Sequence, residues 1–254
     1  MDDAALARLE HENMHDWLRL ACGQVPGAVT HHEAGVGLYA TGLPAPLFNQ
    51  VVTDDGAAPG DVTAAITILR ERGAPFCVVL RRDADTRLRP MMAELALPLD
   101  EGVLPGMALH PLPTTLVTTA PGLEIEVVRD AESLHDHALV AAHAFGIRED
   151  VALAFIGDEL WERPGATVYL GRADGGPVVS GFTVRTGDTL GIFTIATEPA
   201  ARGRGFGAAM TSRLIADGAA AGCTVAALQA SDMGRPIYER IGFRVVQEYD
   251  VYVG

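Results

Sequence analysis

Apolar residues recur along this chain with two different periods, and the switches between them mark out its elements. Over Asp2 to Ala21 a helical spacing brings Leu6, Leu9, Asn13, Trp17 and Leu20 near one face. Gly37 to Thr41 and Asn49 to Thr53 predict strands, Asp61 to Arg72 a helix, Phe76 to Leu80 a strand, Thr86 to Leu97 a helix and Met107 to Leu112 a last strand. A polar, proline-rich stretch around Pro111, Pro113, Pro121 and Gly122 then reads as a linker. Beyond it come a strand at Leu123 to Val128, a helix capped by Asp130 and running to about Ala144, and a less regular segment to Pro164-Gly165. Strands at Thr167 to Arg172, Val178 to Arg185 and Thr189 to Thr197 are separated by the turns Asp174-Gly175-Gly176 and Gly187-Asp188. A glycine-rich loop, a helix to Ala221, a strand at Thr224 to Ala230, a short helix at Pro236 to Ile241 and a strand at Arg244 to Val253 complete the order. An α/β fold, a mixed sheet flanked by helices on both faces, accounts for it.

Composition narrows the reading. At 254 residues and 48% apolar, the chain can bury one large core or two ordinary ones. Its net charge of −14 is shared by both halves, which argues against nucleic acid as a partner. Acidic surface mildly favours a cationic ligand such as an amine, although it also serves plain solubility. No apolar stretch approaches the roughly 18 residues of a membrane helix, and Met1-Asp2-Asp3 is acidic where a secretion signal is basic. Cys22, Cys77 and Cys223 are too scattered for a disulfide framework or a metal knuckle, so a reduced cytoplasmic setting is expected. All 19 cationic residues are arginine, which excludes a phosphate-binding lysine and Schiff-base chemistry on lysine.

The loop Arg202-Gly203-Arg204-Gly205-Phe206-Gly207-Ala208 lies between a strand and a helix. Its glycines permit positive φ and leave backbone N–H groups uncovered at the positive end of a helix dipole, an arrangement suited to a pyrophosphate. A turn without a ligand would look the same. A dinucleotide fold fits less well: the glycine spacing differs, and the acidic residue expected at the end of the next strand is missing.

The stretch Ile195-Ala196-Thr197-Glu198-Pro199-Ala200-Ala201-Arg202, followed by Gly203 to Ala208, resembles the acetyl-CoA motif of the GNAT (GCN5-related N-acetyltransferase) superfamily. Leu228-Gln229-Ala230-Ser231 and then Pro236-Ile237-Tyr238-Glu239-Arg240-Ile241-Gly242-Phe243 resemble that family's second signature. The resemblance covers roughly residues 123–254. The preceding half looks like a worn copy: it repeats the strand–helix–strand ending, but its loop is Asp54-Asp55-Gly56-Ala57-Ala58-Pro59-Gly60-Asp61, whose aspartates would repel a pyrophosphate. The expected organisation is a tandem acyl-CoA N-acyltransferase fold: a degenerate GNAT-like domain at 1–115, a linker at 116–122 and a GNAT N-acetyltransferase domain at 123–254.

The resemblance implies transfer of an acetyl group from acetyl-CoA, as co-substrate, to a primary amine of a small molecule or peptide, without a metal, and a homodimer stays open. It implies that Arg202, Gly203, Arg204, Gly205, Phe206, Gly207 and Ala208 hold the pyrophosphate. It also implies cofactor contacts at Ile195, Ala196 and Thr197, where a backbone N–H near Ile195 or Ala196 would face the thioester carbonyl. Ser231 is a further cofactor contact or a helix cap, and Tyr238 is the acid that protonates the departing thiolate, or a packing residue beside Ile241 and Phe243. For the base, Glu198, Asp188, His143, Glu149, Asp232 or a water chain stay open; His135, His137 and His143 read as solvated or core histidines. A non-catalytic acyl-CoA sensor would carry the same loop.

One motif competes. His11-Glu12-Asn13-Met14-His15 spells H-E-x-x-H on a helix, which in a zinc metallopeptidase supplies two ligands and a base. Leu18 and Ala21 stand where a longer zinc signature would carry glycine and a third histidine, and His31, His32 or Glu33 are the nearby candidates for a third ligand.

Overall fold

The computed structural model describes residues 1–113 and 118–254. Part of the expected linker, and the first domain's expected end at 115, fall outside the described residues. The first half comprises α1 (Asp3–Cys22), β1 (Val29–Glu33), β2 (Val36–Ala40), β3 (Asn49–Thr53), α2 (Pro59–Arg72), β4 (Cys77–Arg81), α3 (Arg89–Glu94) and β5 (Leu99–Leu109). The second comprises β6 (Glu124–Val127), α4 (Ala131–Phe145), α5 (Glu149–Ile156), β7 (Ala166–Ala173), β8 (Gly176–Thr186), β9 (Thr189–Thr197), α6 (Phe206–Ala220), β10 (Val225–Gln229), α7 (Arg235–Ile241) and β11 (Arg244–Val253). No helix among the described residues is long and apolar enough to cross a membrane.

Local chemistry explains most boundaries. Asp2 caps α1 by accepting from the Ala5 N–H at 2.8 Å, and Asp130 caps α4 through Ser133 at the same distance. α2 starts at Pro59, whose missing N–H costs nothing there, and ends at Gly73 in the left-handed conformation. Four elements depart from the expected pattern, the first being α5, a regular helix in a segment expected to be less regular. β1 is exposed at every residue, so no apolar period marks it. β5 starts at Leu99 rather than near Met107, because Gly102 and Pro105 interrupt a strand whose first residues are exposed. The helix expected over Thr86 to Leu97 is a 3-10 turn at Thr86–Leu88 followed by the short α3.

All described strands join one 11-stranded sheet, ordered β1-β2-β3-β4-β11-β5-β10-β9-β8-β7-β6. The order reveals an exchange. β3 and β4 pair in parallel across α2, and β9 and β10 pair in parallel across α6. The next strand after each unit is supplied by the other half: β11 lies against β4, and β5 lies against β10, both antiparallel. β5 and β11 then pair with each other at the centre, Met107 opposite Val245 and Leu104 opposite Tyr249. A cut between the two sequence segments divides the chain but not the sheet.

Alternation sorts the two faces. Met107, Leu109, Ala226 and Leu228 pack beneath α6 and α7 with Phe206 and Leu214, while Val78 and Leu80 pack beneath α2 and α3. On the opposite face Phe182 and Phe193 meet α4 and α5, and Val79 and Tyr249 meet α1. Lying under the junction, α1 buries Leu6 as its apolar spacing predicts, but also Glu10, His11, Asn13 and His15. Asn13 donates to the Val184 carbonyl at 3.0 Å and the Thr186 hydroxyl at 2.9 Å, tying the helix to β8.

Gly191 makes that approach possible. A Cβ there would sit 1.8 Å from Asn13 Oδ1 and 2.5 Å from the Phe193 ring. Gly191→Ala is therefore expected to destabilise by at least the ~1–3 kcal/mol of an overpacked core. In urea unfolding, adding Asn13→Ala should recover part of that loss; an unshifted midpoint in the single variant would refute the contact.

Candidate functional site

β9 stays paired with β8 up to Thr197, but its parallel pairing with β10 ends at Gly191–Ala227. From Ile192 onward the two strands diverge, and one edge of β9 loses its ladder partner. A bulge falls here: Ser180 opposes Ala196 and Phe182 opposes Phe193, so β9 carries an extra residue, and Thr194 has φ 53°. A bulged residue leaves backbone groups unpaired and re-aims its neighbours.

At the end of β9 the chain enters the glycine loop. Gly203 and Gly205 take φ values of 78° and 81°, and a Cβ on either would meet nothing within 4 Å. Conformation rather than crowding thus requires glycine here. Among the described residues, none accepts a hydrogen bond from the N–H groups of Gly203 to Ala208, which precede or open α6. Donors left free at a helix N-terminus form a positive site with room around it. The arginine side chains brace the loop. Arg202 donates to the Ala144 carbonyl at 2.9 Å, tying the loop to the end of α4. Arg204 pairs with Asp174 at 2.8 Å and lies over the Phe206 ring, 4.6 Å from its centroid. Phe206 is buried against the sheet, and Gly207 passes close to Thr197.

A cavity of about 320 Å3 opens where β9 and β10 part. Thr194, Ile195, Ser231 and Tyr238 line it; Ala196 is buried in the ladder with β8. Tyr238 is 8% exposed, its ring set edge-on to Phe243 at 5.9 Å. Burial pushes the phenol up to about 12, so it stays protonated at neutral pH. Ser231 Oγ accepts from the Gly234 N–H at 3.2 Å, the cap geometry that its sequence position also allowed. The opposite wall comes from the first half and from α5: Trp17, Phe48, Gln50 and Phe155. Nothing in the motifs of the second half points to those residues, because α1 and β3 reach the cavity only through the strand exchange.

None of the base candidates lines the cavity. Asp188 sits in the turn before β9, about 30 Å of strand from Thr197 at ~3.3 Å per residue. His143 bonds Glu198 at 2.8 Å and Glu149 at 3.1 Å, and these two carboxylates raise its pKa, but the group is exposed. Asp232 is exposed too. His135 faces solvent, whereas His137 is fully buried; burial pushes it down to about 4, against the bond to the Tyr169 carbonyl at 3.1 Å. Both match the plain reading of those histidines. His11 and His15 are buried, but Glu12 is exposed, so the peptidase base is not brought to them.

Comparison with known proteins agrees with this geometry. The family model described as "Acetyltransferase (GNAT) domain" matches residues 164–245, the span from β7 into β11. No curated protein sequence matches the chain. Among solved structures, a GCN5-related N-acetyltransferase from Kribbella flavida superposes with a TM-score of 0.69 at 17% identity, covering 94% of this chain and 93% of that one. A GCN5-related N-acetyltransferase from Sphaerobacter thermophilus gives a TM-score of 0.61 at 15% identity, over 87% of this chain and 80% of the other. A tandem GNAT protein from the clavulanic acid biosynthesis pathway gives 0.60 at 10% identity, over 96% and 94%. At these identities the likeness is one of fold, and it extends over both halves. Residues 164–245 thus match the GNAT acetyltransferase domain model, and the chain as a whole has the fold of tandem GNAT proteins.

Proposed function

We propose that the protein transfers an acetyl group from acetyl-CoA to the primary amine of a small molecule, using one cofactor site in its second half. The observation that carries this reading is the meeting of three features at the end of β9: free loop donors, an unpaired strand edge and a protonated phenol. The N–H groups of Gly203 to Ala208 take the pyrophosphate, and the pantetheine arm runs along the free edge of β9. A backbone N–H beside Ile195 or Ala196 meets the thioester oxygen, where negative charge develops during attack. The amine lone pair adds to the carbonyl carbon and the nitrogen gives up a proton to solvent, the C–S bond breaks, and Tyr238 gives its proton to the thiolate. A phenol held near 12 loses that proton only to a group created in the reaction, and solvent restores it.

The cavity also bears on the acceptor. Its walls carry Trp17, Phe48, Phe155 and Phe193, its polar lining includes Gln50, Gln229 and Thr194, and no lining residue is charged. A compact polyamine would find no carboxylate to hold it there. An amine on an apolar body, entering neutral, fits better, since apolar walls favour the uncharged form.

Two substitutions test this. Gly205→Val puts a β-branched residue at φ 81° and fills the space next to the free donors. It is expected to cost about 1–3 kcal/mol in strain and to abolish acetyl-CoA binding by calorimetry. Unchanged affinity in a folded variant would remove the loop from the reading. Tyr238→Phe keeps the packing against Phe243, so the melting temperature should hardly move. Turnover should fall about a hundred- to ten-thousand-fold, with little change in KM for acetyl-CoA. Equal turnover on one aromatic or aliphatic amine would assign the proton to solvent. Tight binding without CoA release on any acceptor would instead indicate a sensor.

A further inference from the structure

The strongest cluster outside the acyl-transfer cavity surrounds His11 and His15. One turn apart on α1, they turn their Nε2 atoms to the same oxygen of Asp54, at 2.6 and 2.9 Å. Asp54 belongs to the loop after β3, at the position corresponding to the glycine loop of the second half. The two Nε2 atoms are 3.3 Å apart. On β1, His32 lies parallel to His15 with ring centroids 4.5 Å apart, and bonds the other Asp54 oxygen at 2.5 Å.

The remaining nitrogens are held from behind. His15 Nδ1 bonds the Tyr39 hydroxyl at 2.7 Å, and His11 Nδ1 bonds the Tyr249 hydroxyl at 2.9 Å. Tyr249 donates its single proton to Glu10 Oε2 at 2.6 Å, so its oxygen accepts from His11 Nδ1–H. The Nε2 of a neutral His11 then presents a bare lone pair to a carboxylate oxygen. Both imidazoles are buried, His11 8% and His15 3% exposed, with their Nε2 atoms converging on one carboxylate oxygen.

We propose that His11 Nε2, His15 Nε2 and Asp54 bind one divalent transition metal, zinc by the chemistry of the donors. Tetrahedral donors about 2.0–2.1 Å from zinc lie about 3.3 Å from one another, the separation of the two imidazole nitrogens. Asp54 completes the set by backing away by less than about an ångström. Charge supports the assignment: the two imidazoles and the Asp54 carboxylate are a donor set suited to a dication. The nearby Arg81 is occupied by Asp85 and Asp55. Holding both ring nitrogens of each ligand, one on the metal and one on a hydroxyl, is how metal-binding histidines are oriented. Gly37 makes room for the arrangement, since a Cβ there would lie 2.9 Å from the His15 ring. The site is structural: with Glu12 exposed no base faces the metal, and the ion pins the β1–β2 hairpin and the Asp54 loop to α1.

Elemental analysis of purified full-length protein is expected to find about one zinc per chain. After treatment with a chelator, Zn2+ should raise the melting temperature, and Co2+ should give the visible absorption of a tetrahedral site. His15→Gln and Asp54→Asn should lose both responses, whereas Glu12→Gln should keep them. Failure of the unaltered protein to take up either ion overturns the proposal without any variant having to fold. Uptake that persists undiminished in His15→Gln and Asp54→Asn also overturns it and points to another site, such as His143 with Glu149 and Glu198.

Discussion

A strand in the middle of a sheet must find partners for its backbone groups on both edges, and in this protein each half takes one of them from the other. β10 has β9 on one side and needs a neighbour on the other; β4 has β3 and needs the same. Each half donates its own last strand to the other, and the two donated strands, β5 and β11, close the gap by pairing together. The burial of α1 under the junction, the wall of the cavity and the histidine cluster all follow from that exchange. With the strands returned to their own halves, α1 would have no continuous surface to cover.

The candidate site is built from places where regular pairing stops. β9 leaves β10 after Gly191, bulges at Thr194 and gives way to a loop of left-handed glycines. Each departure leaves backbone groups unpaired. Such groups are costly when buried and useful when they face a ligand with matching charge. The first half carries the same strand–loop–helix unit with the opposite electrostatics. Where the second half offers free N–H groups, the first offers the Asp54 carboxylate to three imidazoles. One architecture thus presents free backbone donors in one copy and a carboxylate ringed by imidazoles in the other.

Legibility followed how local each signal was. Residues Arg202 to Ala208 lie within two turns of chain, and their meaning depends on φ values that glycine alone adopts comfortably. Tyr238 could be placed for the same reason, since it stands a few residues beyond β10 on a short helix. Asp188 and Asp232 entered as candidates for the base because sequence shows residue type but not which side chains reach the cavity. The structure puts one in the turn before β9 and exposes the other.

By itself, then, the sequence determined most of the strands and helices, though not β1 or α5, and it displayed the glycine loop and the resemblance between the halves, because each is written in neighbouring residues. It also displayed His11 and His15 at helical spacing, but attached the wrong partner to them: Glu12 follows His11 directly and faces solvent, while Asp54 comes from a distant loop. Only the tertiary structure decided that β5 and β11 change places, that Trp17 and Phe48 wall a cavity belonging to the other half, and that Glu10, Tyr249 and His11 form one chain of hydrogen bonds. Those facts depend on which edges pair across hundreds of residues. That choice is made by burial and backbone hydrogen bonding over the whole sheet, and no local pattern records it.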